Sequence, residues 1–389
     1  MSRVMRVRHS SDAAGISTVE GSGMSRQGID RRRALGIAGA GVVGALAAPH
    51  VARAQGAHNW SMAMTWPAGS PGVGVNAERC ARMIEAMSGG RIQLTVYGAG
   101  ELVPPFEVFD AVAEGTAQLG HGSPYFWQGK DSVFQFFSGV PFGLTAQEHS
   151  GWLYFGGAQE LWDRAYAPFG VKGFYAGSSG PQAGGWFSRP IESLDDLRGL
   201  NMRIAGLGGE VMRRLGVNVV LLPPGEIFSA LQAGTIDAAE WIGPWNDLAF
   251  GLYRTAKYYY MPAFHEFGPA LELMVNAQAY EALDDDLKEI VKRAAMASAT
   301  ESFADFTYHN ADSFRPLLDE DGVELRTWPD DIVRALAEQS EVVLAELAQA
   351  SALGRETYDS FVAYRTKADE FARASDQRMF EMRAIGLDL

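Results

Sequence analysis

The chain is poor in the residues that most often mark chemistry. It has one cysteine, Cys80, in 389 residues, so no intramolecular disulfide can form. Cys80 lies inside an amphipathic helical pattern and reads as a buried structural thiol. Seven histidines are present, and none falls in a His-Glu-x-x-His run or another trustworthy metal spacing. A Gly-x-Ser-x-Gly elbow is missing, which removes the commonest serine-hydrolase signature. Positive charge is also scarce, with 33 Lys and Arg against 47 Asp and Glu. Residues 1–56 carry 8 of the basic and 3 of the acidic groups, which leaves 25 against 44 beyond them, a net charge of −19. Nucleic-acid recognition needs basic patches, so that partner class is excluded. Past the N-terminal region no apolar run approaches the roughly 20 residues that cross a bilayer.

The N-terminus itself reads as a removable signal. Arg31-Arg32 precede a Gly/Ala-rich apolar run from Ala34 to Ala48, and Ala52-Arg53-Ala54 form an A-x-A site before Gln55. This is a secretory pattern of the twin-arginine type, which implies export of a folded protein. The run is too short for a membrane anchor. Residues 1–23 carry no pattern, and Met24 is a second candidate start.

From Asn59 the chain alternates strand and helix, as in an α/β lobe. "NWSMAMTW" and "RIQLTVYG" read as strands around the helix "AERCARMIEAMSGG". An internal echo follows. "PPFEVFDAVAEGT" (104–116) and "PPGEIFSALQAGT" (223–235) agree at seven of thirteen positions. Each opens on prolines where a helix can begin and closes on Gly-Thr before a short apolar strand. Two lobes built on one plan are expected. The 119-residue shift sets Glu240 opposite His121, both near strand ends, where open α/β sheets bind ligands. Glu240 and "HGSPYFW" (121–127) therefore belong on facing walls of one cleft. Beyond Asp284 the pattern is helical: one very long helix, then 329–354, then 356–382. In the last, Phe361, Tyr364, Ala368 and Phe371 form an apolar stripe suited either to the chain's own core or to a subunit interface.

Glu240 stands in "IDAAEWIGPW", a carboxylate in an apolar run that is costly to bury without a partner. Arg203, in the strand "LNMRIAG", is the matching puzzle, since a guanidinium there is rarely buried alone. It suits bidentate pairing with a carboxylate, from a ligand or from the chain. Gln182 in "GPQAGG" and Glu266 in "AFHEFGP" complete a set of hard oxygens that fits Na⁺ or Ca²⁺ rather than zinc or copper. "GLGGE" (206–210) lies between a strand and a helix but lacks the full dinucleotide fingerprint.

These stretches carry a resemblance. "SLDDLRGLNMRIAGLGGEVMRRLGVNVVLLPPGEIFSALQAGTIDAAEW" resembles the core of the solute-binding subunits of TRAP transporters, the DctP family, from roughly Asn59 to the C-terminus. "SGPQAGGWFSRP", "DAAEWIGPW" and "HEFGP" look most like the branch that binds 2-oxo and 2-hydroxy monocarboxylates, the α-keto-acid-binding TakP type. The resemblance implies a two-lobed periplasmic binding-protein fold of the α/β class, with a long connecting helix and a C-terminal helical extension. It divides the chain into the extension and signal (1–54), lobe I (57–178, with 267–305 returning to it), lobe II (179–266) and C-terminal helices that join a homodimer (306–389).

The resemblance also assigns roles. Gln182 and Arg203 hold the substrate carboxylate. Gln182, Glu240, the Trp241 carbonyl and Glu266 hold a metal ion that the substrate also chelates. Trp241, Tyr125 and Trp66 line the substrate, and Trp127, Trp186 and Trp245 lie in stretches expected at the cleft. Sodium-binding relatives are expected to have Gln where Glu266 stands. With the substrate anion the ligand charge is about −3, which favours Ca²⁺ over Na⁺ by Coulomb reasoning. The implied function is capture of a pyruvate- or lactate-like acid in the periplasm and delivery to TRAP membrane permease subunits. The alternative is a metal-dependent lyase or hydrolase acting on 2-oxo acids, for which His121 and His265 are the only candidate bases.

Overall fold

The computed structural model of the chain describes residues 57–320 and 322–387; the expected signal over 1–54 lies outside them. The strands are β1 (His58–Met64), β2 (Ile92–Tyr97), β3 (Leu119–Gly122), β4 (Val171–Ser178), β5 (Gly185–Phe187), β6 (Asn201–Arg203), β7 (Asn218–Val220), β8 (Ala238–Ala239), β9 (Tyr258–Tyr260), β10 (Ala270–Asn276) and β11 (Glu324–Arg326). They form two mixed sheets, ordered β2-β1-β3-β10-β4 and β11-β9-β5-β8-β6-β7. In the first, β1 is parallel to β2 and β3, while β10 runs antiparallel between β3 and β4. In the second, β6 is parallel to β7 and β8, and β5 runs antiparallel between β8 and β9.

The sequence echo is a structural repeat. A 3₁₀ turn at Pro105–Glu107, a helix at Val108–Ala113 and β3 recur as Pro224–Glu226, Ile227–Gln232 and β8. Every boundary up to the start of the strand is shifted by 119 residues. Pro104 and Pro223 are extended, and the prolines after them open the turn, where a missing N–H costs nothing. Gly115 and Gly234 close each helix at positive φ, where other residues are strained.

Two short segments cross between the sheets, and the long helix after β10 makes a third crossing, to β11. One joins β4 to β5 through residues 179–184. The other returns from β9 to β10 through 261–269. The helix Asp285–Leu318 lies along β4. Its buried face includes Ala294, Ala295, Ser298, Ala299 and Ser302, small side chains that allow close approach. Ser298 Oγ donates to Asn76 Oδ1 (3.1 Å), and Asn76 Nδ2 donates to the Ala176 carbonyl (3.0 Å). Cys80 is buried nearby, and burial pushes its thiol up to about 12.

The C-terminal part departs from expectation in two places. Residues 306–389 are not helical throughout, because β11 pairs parallel to β9 at the edge of the second sheet. The helix expected over 356–382 is broken at Ser375 (φ −109°, ψ −88°) into Ala352–Ala374 and Asp376–Leu387. The apolar stripe is split as well. Phe361 is buried against Trp152, with ring centroids 5.3 Å apart, whereas Phe371 is 72 % exposed. Among the described residues no helix is long and apolar enough to cross a membrane.

Trp127, expected at the cleft, faces the core of the first lobe instead. Its indole N–H donates to the buried carboxylate of Glu272 on β10 (2.6 Å), which also accepts from the Tyr166 hydroxyl (2.9 Å). An indole N–H finds a partner when buried, and Glu272 supplies it. Burial pushes Glu272 up to about 8 against those two donors. A carboxyl raised on folding gives stability that is complete below its unfolded value and lost as pH rises through the folded one. Thermal unfolding of Glu272→Gln should therefore fall less steeply than wild type between roughly pH 5 and pH 9. Parallel slopes would contradict this assignment.

Candidate functional site

β6 and β8 lie side by side and parallel, so their carboxyl ends emerge together. β6 ends at Arg203, and the Glu240 N–H donates to the Arg203 carbonyl (2.9 Å), one residue beyond β8. Both side chains then enter the same space. Arg203 Nη1 donates to the Glu240 carbonyl (2.5 Å) and to Glu240 Oε2 (2.9 Å), and Nε donates to the Leu222 carbonyl (3.3 Å). That leaves Nη2 for another anion. Arg203 and Glu240 are almost completely buried.

The two crossing segments bring the remaining residues. The Gln182 N–H donates to the Glu266 carbonyl (3.1 Å), the Ala263 N–H to the Gln182 carbonyl (2.8 Å), and the Ala183 N–H to the Ile242 carbonyl (2.8 Å). Main-chain bonds thus stitch Gln182, the Glu240–Ile242 stretch and His265–Glu266 into one unit. Ligand atoms of Glu240, His265 and Glu266 lie within 4.8 Å of one another. Gln182 Nε2 donates to Ser179 Oγ (2.8 Å), which fixes the amide. Gln182 Oε1, Glu266 Oε2 and both ring nitrogens of His265 are buried without a hydrogen-bond partner. Each such atom costs about 1–3 kcal/mol, so four in one place mark a site built for something the chain does not itself supply. Free carboxylate, amide and imidazole donors fit a cation.

Electrostatics agree. Two buried carboxylates face one guanidinium. Burial first, and the Glu240 charge second, push Glu266 well above the carboxylate range, against the pull of Arg203 and the Tyr125 hydroxyl. Tyr125 is raised in turn by burial and by the charges of Glu266 and Glu240. The glycines of "GLGGE" do not cradle a phosphate. A Cβ on Gly208 would strike the His265 side chain at 2.7 Å, and one on Gly206 would touch the Tyr125 ring at 3.1 Å. They are the clearance that lets the helix Gly206–Arg214 lie against two residues of the site. Gly139 does the same for Glu266, with a would-be contact of 2.7 Å.

Aromatic rings roof this cluster. Trp66 lies 6.3 Å from Trp241, and the Arg203 guanidinium sits 5.6 Å from the Trp241 ring centre. Trp66 Nε1 donates to His121 Nδ1 (2.9 Å). Burial lowers His121 to about 3, which keeps the ring neutral. His121 is thus a prop for Trp66 and not a free base. Asn246 Nδ2 donates to the Pro71 carbonyl (2.8 Å), joining the segment after Glu240 to the first lobe. Trp186 and Trp245, expected at the cleft, are engaged elsewhere. Trp186 donates to the buried Asp247 (3.1 Å), and Trp245 stacks on His309 at 4.3 Å. A cleft of about 250 Å³ between Gln128, Gln135, Glu210 and Arg213 is not lined by the cluster's side chains. The sequence reading missed His265 as a member of the cluster. Its only signal was adjacency to Glu266.

The model of the bacterial extracellular solute-binding proteins, family 7 (DctP), matches residues 62–350. The chain is 41 % identical over 317 residues to a monocarboxylate 2-oxoacid-binding periplasmic protein of Nostoc sp., covering 82 % of this chain and 86 % of that one. Two crystal structures of TRAP periplasmic solute-binding proteins superpose with TM-scores of 0.81, each over 84 % of this chain and 99 % of the other. The protein from Pseudoalteromonas atlantica, 35 % identical, holds sodium and pyruvate. The one from Colwellia psychrerythraea, 34 % identical, holds calcium and pyruvate.

The raised Glu266 yields a direct test. A cation held by Glu266 would need its carboxylate, so below the raised value its binding would expel a proton, and affinity would climb with pH until Glu266 is ionised without it. Calcium titrations in buffers of differing ionisation heat should report proton release, which Glu266→Gln abolishes. Binding without proton release at every pH would contradict the coupling.

Proposed function

We propose that this chain, which belongs to the DctP family of bacterial extracellular solute-binding proteins, captures a small 2-oxo or 2-hydroxy monocarboxylate in the periplasm and delivers it to a TRAP membrane permease. The work of that family is binding, not catalysis, and the lyase or hydrolase alternative falls with it. One observation carries the substrate reading: a buried guanidinium with a nitrogen to spare stands beside buried carboxylate and amide oxygens that have no partner on the chain.

In this reading Arg203 Nη2 and Gln182 receive the carboxylate of the acid. Gln182 Oε1, Glu240, Glu266 and the Trp241 carbonyl are the protein's donors to a cation, which when bound adds a Lewis-acid contact for the carboxylate and the 2-oxygen. Trp66 and Trp241 exclude water from the short apolar tail, and Tyr125 offers its hydroxyl to the 2-oxygen. Arg203 supplies one positive charge against Glu240, Glu266 and the acid, which leaves −2. A divalent ion neutralises that sum, so Ca²⁺ is favoured over Na⁺. Closure of the lobes over the ligand follows the hinge type of binding protein, with Asn246 on the Pro71 carbonyl as a contact across the cleft. Export by the twin-arginine route belongs to the same proposal.

The C-terminal helix supports a homodimer. Met379, Phe380, Met382 and Ile385 are exposed on the helix Asp376–Leu387, and Phe371 is exposed near the end of the helix before it, a concentration of apolar side chains that suits an interface.

Two experiments check these statements. Metal-stripped protein titrated by calorimetry with pyruvate, lactate and a branched 2-oxo acid should bind one of them tightly only after Ca²⁺ is restored. Glu266→Gln should move the preference toward Na⁺. Arg203→Met should weaken binding by about 2–5 kcal/mol, roughly 30- to 5,000-fold, as expected for breaking a buried charge pair, with Arg203→Lys between. No binding of any monocarboxylate with either ion would sink the substrate class. In sedimentation, deletion of residues 376–389 should convert a dimer to a monomer; an unchanged mass would exclude that helix as the interface.

A further inference from the structure

We propose that His265 is a protein ligand of the bound cation, so that the site is a mixed nitrogen–oxygen donor set and takes a borderline first-row divalent ion, of the cobalt or zinc kind, in competition with Ca²⁺. The inference rests on the cation reading above and deepens it.

Three observations carry it. The His265 ring is 1 % exposed and neither nitrogen has a hydrogen-bond partner. A neutral imidazole has one acceptor nitrogen and one N–H donor; the acceptor is free for a cation, and the N–H is left for the substrate or a water. Second, His265 Nε2 lies 3.9 Å from Glu240 Oε1. That is too long for a hydrogen bond. It suits two ligands of one ion, since bonds of about 2.0–2.2 Å set neighbouring donors roughly 3–4 Å apart. Third, the ring is held in place. The Gly208 backbone presses on one side, and Phe264 packs with its ring centre 5.0 Å away. A β-carbon at 208 would collide with His265, so the helix Gly206–Arg214 lies directly against this side chain.

The consequence is chemical. Glu240, Glu266 and Gln182 alone form a hard oxygen set that ranks ions by charge and size. An added imidazole brings in the preference of first-row divalent ions for nitrogen, which rises from manganese toward copper. Calcium gains little from a nitrogen donor; cobalt and zinc gain much.

Cobalt makes the test visible. Metal-stripped wild-type protein is titrated with Co²⁺, with and without pyruvate, and followed by visible absorption and proton NMR. The expected result is a d–d spectrum with nitrogen donation and a strongly shifted, exchangeable imidazole N–H signal. Both should vanish in His265→Asn and His265→Gln. Co²⁺ affinity in the variants should drop by more than the roughly 10–100-fold that loss of an outer-shell partner costs. Circular dichroism and thermal unfolding confirm that each variant is folded, and the two substitutions differ in size, so a packing defect in one does not decide the matter. In the wild type, Co²⁺ should displace Ca²⁺ at a concentration below that of the calcium. Co²⁺ bound without an imidazole signal, or with unchanged affinity in both folded variants, overturns the proposal while calcium-dependent pyruvate binding still stands. Wild-type pyruvate binding that needs no cation at all removes the cation reading itself.

Discussion

Arg203 and Glu240 share a buried hydrogen bond of 2.9 Å at the base of the cleft, and the rest of the site is arranged around what that bond leaves unbalanced. A buried ion pair is a poor source of stability, because desolvation offsets most of the attraction. It is better understood as a device for holding charge in place. Here the pair is joined by a second carboxylate, Glu266, that Arg203 cannot also neutralise. Burial and the Glu240 charge therefore push the Glu266 carboxyl well above the ordinary carboxylate range. In the proposed function a cation and an acid enter together and offset that excess. One constraint, excess negative charge in a dry cleft, thus links proton, metal and substrate.

The scaffold explains how such a costly arrangement stays fixed. The repeated turn–helix–strand unit brings two strand ends to the cleft, and the two crossing segments lie against them through main-chain hydrogen bonds. Gln182, Glu240 and Glu266 are carried on backbone that is bonded to itself, so their side chains need little help to stay in register. Glycines at 139 and 208 set the clearance for Glu266 and His265. Behind this layer, Ser298, Asn76 and Asp247 fix the polar groups of the core to named partners, and His121 fixes Trp66.

Much of this was legible in the chain. The 119-residue echo predicted two lobes on one plan, and it recurs element by element. A charged residue inside an apolar strand is rare enough that Arg203 and Glu240 stood out singly. Membership of the DctP family and the binding function could be read from the resemblance. Other features left too faint a mark. His265 sits in a loop whose path is set by main-chain bonds to Gln182 and Phe142 and by packing against Gly208, none of them local. Trp127, Trp186 and Trp245 carry the same aromatic signal whether they face a ligand or a core. The indole partners of the first two, Glu272 and Asp247, are distant in sequence. β11 is three residues long and gains its identity only by pairing with β9. The break at Ser375 falls in a sequence with good helical periodicity, where no proline or glycine warns of it.

The most direct measurement is a crystal structure of the protein grown with pyruvate and Ca²⁺, with the ion located by anomalous scattering. The account predicts a calcium peak about 2.3–2.6 Å from oxygens of Gln182, Glu240 and Glu266, with the pyruvate carboxylate between that peak and Arg203. Pyruvate bound on Arg203 with no ion beside the two carboxylates, or an ion seated away from them, would contradict it.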